Sequence, residues 1–145
     1  MAQVDFYSIS QPDEQARLFL ACRLVEKAMT QGLKIYIHTD NEQAAMDMDD
    51  LLWSFKPESF IPHVIVGIDV ELGDDDEVPV YIGYFDKAPA GADLLINLGT
   101  GIPPFLNDFP RVAEIVPNVE ESKTRLREHW TDYKARGFTL NHHQL

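Results

Sequence analysis

Short runs of β-branched and aromatic residues alternate along this chain with segments of helical period, and this alternation constrains the fold more than any other feature. The first run, residues 3–9, is followed by an apolar stripe at three- and four-residue spacing that stops at Gly32. A second run, residues 33–38, is followed by a second stripe. Strand, helix, strand, helix is the order of parallel strands joined by helical crossovers. We therefore expect an α/β fold: a single domain, 1–145, with a Rossmann-like, open, mostly parallel sheet flanked by helices.

Four further runs predict strands in the rest of the chain, at residues 63–66, 78–84, 93–98 and 111–116. The run 93–98 is nearly all apolar, which is typical of a central strand covered on both faces. We expect 111–116 to be the last strand, followed by a last helix over 120–136.

Capping chemistry predicts where the first two helices begin. Ser10 or a neighbour should cap the first helix, with Pro12 in its first turn. Asp40 should cap the second helix, where Gln43 stands three residues later and would complete a capping box.

The composition argues against several classes of protein. A net charge of −12 disfavours general binding to nucleic-acid phosphates, which requires a basic surface. We find no apolar run long enough to span a membrane and no basic-then-apolar leader at the start. The single cysteine, Cys22, cannot form an internal disulfide, and its place on the inward stripe of the first helix predicts a structural thiol. Together these features predict a cytoplasmic protein.

The charge is distributed unevenly along the chain. Residues 1–110 contain 6 Lys or Arg against 19 Asp or Glu, whereas residues 111–145 contain 6 against 5. An acidic body with a locally basic C-terminal segment suggests that an acidic partner docks on that segment.

The loops and histidines give no positive indication of catalysis. Gly99-Thr100-Gly101 is the only candidate phosphate-binding turn, but Ile102-Pro103-Pro104 follows it and removes backbone N–H donors. The histidines lack the spacing of a metal site, so we expect no metal and no cofactor. Two alternatives stay open: a nucleotide-binding enzyme or regulator that uses Gly99–Gly101, and a direct nucleic-acid binder that uses the basic edge of the last helix.

Two large aromatic residues near the end of the second helix suggest a partner surface. An α-helix turns by about 100° per residue, and this rotation places Trp53 outside the inward stripe of that helix. Phe60 lies between Pro57 and Pro62, which restrict the shape of its loop. Trp53 could cover a neighbouring loop, but a tryptophan off the core face is also typical of an interface hot spot.

The last helix combines an apolar stripe with a row of cations. Its inward side is predicted to carry Val119, Ser122, Leu126, Trp130 and Tyr133. Lys123, Arg127 and Lys134 line up beside that stripe at four- and seven-residue intervals. The row could be a solvated edge paired to neighbouring acids. It could also bind an acidic peptide with a hydrophobic end, with Arg127 taking a carboxylate by charge-assisted hydrogen bonds.

With these motifs in place, the chain resembles the chi subunit family of bacterial DNA polymerase III holoenzyme over nearly its full length. The resemblance is carried by four segments: Phe6-Tyr7, residues 52–63 (LWSFKPESFIPH), residues 94–98 (LLINL) and residues 133–141 (YKARGFTLN).

The resemblance implies a non-catalytic adaptor with two partners. It implies that Trp53 and Phe60 face the psi subunit of the clamp-loader complex. It further implies that Val116, Lys123, Arg127 and Trp130 bind the acidic, phenylalanine-terminated tail of the single-stranded DNA-binding protein. Such an adaptor would associate with DNA only indirectly and would have no membrane partner.

Overall fold

The computed structural model describes residues 2–56, 61–69 and 78–145, and over these ranges strands and helices alternate. The strands are β1 (Gln3–Ser8), β2 (Ile35–His38), β3 (His63–Ile65), β4 (Val80–Gly83), β5 (Leu94–Asn97), β6 (Arg111–Val116) and β7 (Thr139–Gln144). The helices are α1 (Glu14–Thr30), α2 (Glu42–Ser54) and α3 (Glu120–Ala135), with a 3₁₀ turn at Leu106–Asp108.

The seven strands form one sheet in the order β3-β4-β2-β5-β6-β1-β7, and every pair of neighbouring strands is parallel. The predicted α/β fold with an open parallel sheet is confirmed. The apolar run predicted to be central is β5, the fourth strand of seven, and all four of its residues are buried. Most strands are one to three residues shorter than predicted, since the ends of the apolar runs belong to the connections.

The two faces of the sheet are covered by different elements. One core joins α1 and α2 to residues such as Ile37 and Ile96. The other joins α3 and the 3₁₀ turn to Phe6 and Leu95. Cys22 is fully buried in the first core, and that burial raises the pKa of its thiol to about 12. A thiol in that state is a packing group and a poor nucleophile, as predicted.

The predicted caps of α1 and α2 are each wrong by one or more residues. Asp13 caps α1, where its carboxylate accepts from Ala16 N at 3.1 Å, and Pro12 precedes the helix. Asn41 caps α2, where its side chain accepts from Ala44 N at 2.8 Å. Asp40 is used elsewhere, because its carboxylate accepts from the backbone N–H of Thr100, as described below.

The last strand was predicted wrongly as 111–116, since residues 139–144 form β7 at the edge of the sheet. Gly137, with a φ of 88°, ends α3 and turns the chain back toward the sheet. β7 then pairs in parallel with β1, placing His142 opposite Phe6 and Gln144 opposite Ser8. Its exposed edge explains why it is polar and lacks the alternating pattern that identified the other strands.

Candidate functional site

The connections of two neighbouring strands leave the sheet toward opposite faces. β1 leads into α1 on one face, whereas the adjacent β6 leads into α3 on the other. Open parallel sheets bind their ligands in the crevice that opens at the carboxyl ends of strands at such a point. The fold therefore favours a site at Ser8 and Val116, the last residues of β1 and β6.

A cleft of about 370 Å³ lies at this position. We call it the α3 cleft; β1, β6, β7, the loops that follow β1 and β6, and the first half of α3 form its walls. Its lining residues are Ser8, Ile9, Ser10, Val116, Pro117, Asn118, Lys123, Leu126, Arg127, His142 and Gln144. Two backbone hydrogen bonds join the loops after β1 and β6: Ile9 N donates to Val116 O at 3.0 Å, and Asn118 N donates to Gln11 O at 2.9 Å.

The lining of the α3 cleft is cationic although the chain as a whole has a net charge of −12. Lys123 and Arg127 line it, and none of its described lining residues is an aspartate or a glutamate. Arg127 pairs with Glu120 at 3.6 Å, but both side chains are largely exposed, 65% and 79%. An exposed ion pair at that distance contributes little, so Arg127 can exchange Glu120 for a ligand carboxylate at small cost.

The apolar lining of the α3 cleft lies beside its cations. Val116 is buried at the end of β6, and Leu126 is half-buried on α3 between the positions of the two cations. The structure therefore brings together three of the four residues that the resemblance assigned to the tail site: Val116, Lys123 and Arg127.

The fourth residue, Trp130, is not among the described lining of the cleft. Its ring packs against Phe6 at a centroid distance of 5.3 Å, in the core beneath α3. Because Trp130 lies one helical turn after Leu126, it continues the apolar surface away from the cleft. Val119 was predicted to face the sheet, and this is wrong: it is 37% exposed and occupies the N-cap position of α3.

Trp53 lies on a different part of the molecule. Its side chain is 49% exposed on the last turn of α2, so the prediction that it leaves the core face is confirmed. One side of the indole packs on His63 of β3 at a centroid distance of 4.3 Å, and His63 Nε2 lies 3.0 Å from Asp49 Oδ1. Phe60, the second residue assigned to this surface, lies outside the described residues.

The two surfaces are at opposite edges of the sheet. Trp53 rests on β3, the first strand in the order, whereas the α3 cleft opens over β6, β1 and β7, the last three. With about 4.8 Å between neighbouring strands, the five steps from β3 to β1 separate them by roughly 24 Å. The two surfaces therefore do not overlap.

A buried polar cluster beneath α3 was missed in the sequence. Glu114 of β6 accepts from Nδ1 of His129 at 2.8 Å, from the hydroxyl of Tyr133, and from Asn97 Nδ2 at 3.3 Å. Burial lowers the pKa of His129, but the hydrogen bond and the charge of Glu114 outweigh it, so the pKa is raised on balance. Burial and Glu114 also raise the pKa of Tyr133, whose hydroxyl stays a donor. The one sequence signal of this cluster was Glu114 itself, a glutamate between the apolar residues Ala113 and Ile115 of β6.

The glycine turn proposed as a phosphate loop has its donors engaged within the protein. Gly99 N donates to Asn97 Oδ1 at 3.1 Å, and Thr100 N donates to Asp40 Oδ1 at 2.9 Å. A phosphate would have to displace these acceptors and approach the Asp40 carboxylate, which costs both hydrogen bonds and charge repulsion. The geometry therefore disfavours a nucleotide at Gly99–Gly101.

The described residues also bear on metal binding and on membrane insertion. Over residues 2–56, 61–69 and 78–145, no three His, Cys, Asp or Glu side chains cluster in a way that could hold a metal ion. Within the same ranges no helix combines the length and the apolar character needed to cross a lipid bilayer.

The fold and cleft define an open-sheet α/β protein with a cation-lined cleft at the carboxyl edge of its sheet. Comparison with known proteins identifies the family: the model described as DNA polymerase III chi subunit, HolC, matches residues 1–141, and the chain belongs to this family. This membership supports an accessory role in DNA replication.

Three curated relatives agree, and each bears the name DNA polymerase III subunit chi. The protein of Pseudomonas aeruginosa is 39% identical over 145 residues, covering 100% of this chain and 98% of the relative. That of Haemophilus influenzae is 30% identical over 123 residues, 84% of this chain and 83% of the relative. That of Escherichia coli K12 is 31% identical over 123 residues, 84% of this chain and 81% of the relative.

Proposed function

We propose that this chain is a non-catalytic accessory subunit of the replicative DNA polymerase that bridges two proteins. One is the psi subunit of the clamp-loader complex, and the other is the single-stranded DNA-binding protein, bound through its acidic C-terminal tail. The observation that carries the proposal is the α3 cleft, a cationic cleft with an apolar wall on a chain of net charge −12.

The lining of the α3 cleft suits an acidic peptide that ends in an aromatic residue. Lys123 and Arg127 supply cationic donors for carboxylates, and the guanidinium of Arg127 can form paired hydrogen bonds. Val116 and Leu126 supply the apolar surface for an aromatic ring. We assign Trp130 a supporting role, because its packing against Phe6 holds the helix that carries both cations.

The Trp53 surface suits the psi subunit. A half-exposed tryptophan supported from below by His63 is a rigid apolar contact, which is the usual form of an interface hot spot. Phe60 is assigned to the same surface on the strength of the family resemblance. Because the two surfaces are on opposite edges of the sheet, one chain could hold both partners, and two modest contacts would then give useful avidity.

The tail site can be tested by calorimetric titration with an aspartate-rich peptide ending in phenylalanine. The matched pair of variants is Arg127→Ala and Arg125→Ala, two arginines of α3 of which only Arg127 lines the α3 cleft. We expect Arg127→Ala to weaken binding by about 1–3 kcal/mol, the range for a hydrogen bond to a charged group. Arg125→Ala should leave the affinity within about twofold, since this partly buried arginine lies outside the α3 cleft and pairs with Glu121.

Two outcomes would contradict the assignment. Unchanged affinity in Arg127→Ala would show that the peptide binds elsewhere. Equal affinity for the same peptide without its terminal phenylalanine would show that Val116 and Leu126 do not receive a side chain.

A direct role in binding nucleic acid is the rival for the same cations. It predicts that naked single-stranded DNA competes with the peptide for Lys123 and Arg127. The net charge of −12 opposes it, and a filter-binding assay with naked single strands separates it from contact through the protein tail.

A further inference from the structure

β7, which the sequence pattern did not predict, contributes two side chains to the α3 cleft, His142 and Gln144. Parallel pairing with β1 directs alternate residues of β7 to opposite faces of the sheet. His142 lies on the face of α3 and lines the cleft with Lys123 and Arg127. His143 lies on the other face, where it stacks on Tyr7 at 4.8 Å and its Nε2 lies 2.9 Å from Asp5 Oδ1.

The His142 ring is hydrogen-bonded to a side chain of β1. Its Nε2 lies 2.7 Å from Ser8 Oγ, and a hydroxyl can serve either as donor or as acceptor to that nitrogen. This hydrogen bond is therefore compatible with a neutral and with a protonated ring. It engages one nitrogen and leaves Nδ1 for another partner.

We propose that His142 is a third anion-binding residue of the α3 cleft, which donates to a carboxylate of the acidic ligand in its protonated form. The inference rests on the proposed function, because it concerns the same ligand in the same cleft. The ionised acids of such a peptide keep their charge between pH 6 and 8, whereas a histidine ordinarily titrates at about 6.5. Peptide binding is then accompanied by proton uptake and strengthens as the pH falls.

The other charged groups that face His142 are of residue types that ordinarily keep their charge between pH 6 and 8. From α3 they are Lys123 and Arg127, the latter beside Glu120. β1 contributes the neutral Ser8, and the loop after β6 contributes Asn118. A change of affinity between pH 6 and pH 8 therefore reports on histidine. His143, on the opposite face of the sheet, supplies a control.

The test is a titration of the aspartate-rich, phenylalanine-ended peptide into the wild-type chain, His142→Gln and His143→Gln at pH 6 and pH 8. Glutamine can keep a hydrogen bond to Ser8 but cannot take up a proton. We expect the wild-type affinity to be roughly twofold to fivefold higher at pH 6, the size of a partly exposed ion pair. His143→Gln should keep this gain and His142→Gln should lose it. Titration in buffers of different ionisation enthalpy should show proton uptake in the wild type and none in His142→Gln.

The outcomes separate the inference from the proposed function. Tight binding with the same gain at pH 6 in His142→Gln would overturn the inference and leave the proposed function standing. If the wild type bound the peptide at neither pH 6 nor pH 8, both the inference and the proposed function would be overturned. A peptide with an amidated C-terminus identifies the group that accepts the hydrogen bond from His142. If this peptide loses the gain in affinity at pH 6, the acceptor is the terminal carboxylate; if it keeps the gain, the acceptor is an acidic side chain. Both results support the role of His142.

Discussion

Nδ1 of His129 on α3 lies 2.8 Å from the carboxylate of Glu114 on β6, and both side chains are buried. Tyr133, one turn further along α3, donates its hydroxyl to the same carboxylate. One acid of the sheet thus fixes two successive turns of the helix. Because Lys123 and Arg127 lie on the preceding turns, this cluster sets where the cations of the α3 cleft stand.

Removing this acid should destabilise the fold. In Glu114→Ala the imidazole of His129 and the hydroxyl of Tyr133 lose their acceptor in a buried site, which should lower the free energy of unfolding by about 3–5 kcal/mol. Glu121→Ala removes an exposed partner of Arg125 and should cost less than about 1 kcal/mol. Urea unfolding of both variants measures the difference, and similar small losses in the two would show that the cluster does not hold α3.

The same pair predicts how stability depends on pH. The raised pKa of His129 in the folded protein means that folding favours the protonated ring. Its contribution is complete below the unfolded value of about 6.5 and is lost as the pH rises through the folded pKa. The wild type should therefore lose stability from about pH 6.5 upward, and His129→Gln should show a flatter profile in that range. Parallel profiles for the two proteins would contradict the prediction.

His38 acts in the opposite direction. Burial lowers its pKa, although Asp40 and Asp86 partly oppose that effect. A lowered histidine pKa costs stability as the pH falls below the unfolded value of about 6.5. His38→Gln should therefore flatten the acid side of the profile and leave the alkaline side unchanged, which thermal unfolding at a series of pH values would measure.

Trp53→Ala should separate partner binding from folding. Its half-exposed ring predicts a small effect on stability, whereas loss of a hot spot should weaken psi binding by about 2 kcal/mol or more. Phe19→Ala is the matched control, since Phe19 is 43% exposed on α1 and packs edge-on to Phe55. Co-purification with psi at low concentration measures the effect, and equal retention of psi by both variants would remove Trp53 from the interface.

Addition of a nucleotide should leave the protein unchanged. Because Asn97 and Asp40 already accept from Gly99 N and Thr100 N, we expect no shift of Tm with millimolar ATP or GTP. A saturable shift that is abolished by Thr100→Pro, which removes this backbone N–H, would restore the nucleotide-binding alternative.

The sequence predicted the parts of the fold that depend on local apolar patterns. β5 is apolar on both faces and was therefore recognisable as central, and Trp53 left the stripe of α2 on the helical wheel. β7 was missed because an edge strand exposed to solvent has no apolar face to reveal it. Asp40 was wrongly predicted to be a helix cap. Its carboxylate accepts instead from Thr100 N, 60 positions further along the chain, and capping rules consider only neighbouring residues.

The α3 cleft was predictable only in part. The row of Lys123 and Arg127 followed from helical spacing, and the resemblance added Val116. The contributions of His142 and Ser8 depend on the pairing of β7 with β1, which joins the two ends of the chain. Pairing between distant segments is fixed by the completed sheet, so no local pattern announces it.

The most direct test of the two-surface account is the affinity of the acidic tail peptide measured on the free chain and on its complex with psi. With the two surfaces roughly 24 Å apart on the sheet, we predict a one-to-one-to-one complex and peptide dissociation constants that agree within about twofold. Displacement of the peptide by psi, or its failure to bind the complex, would contradict the account.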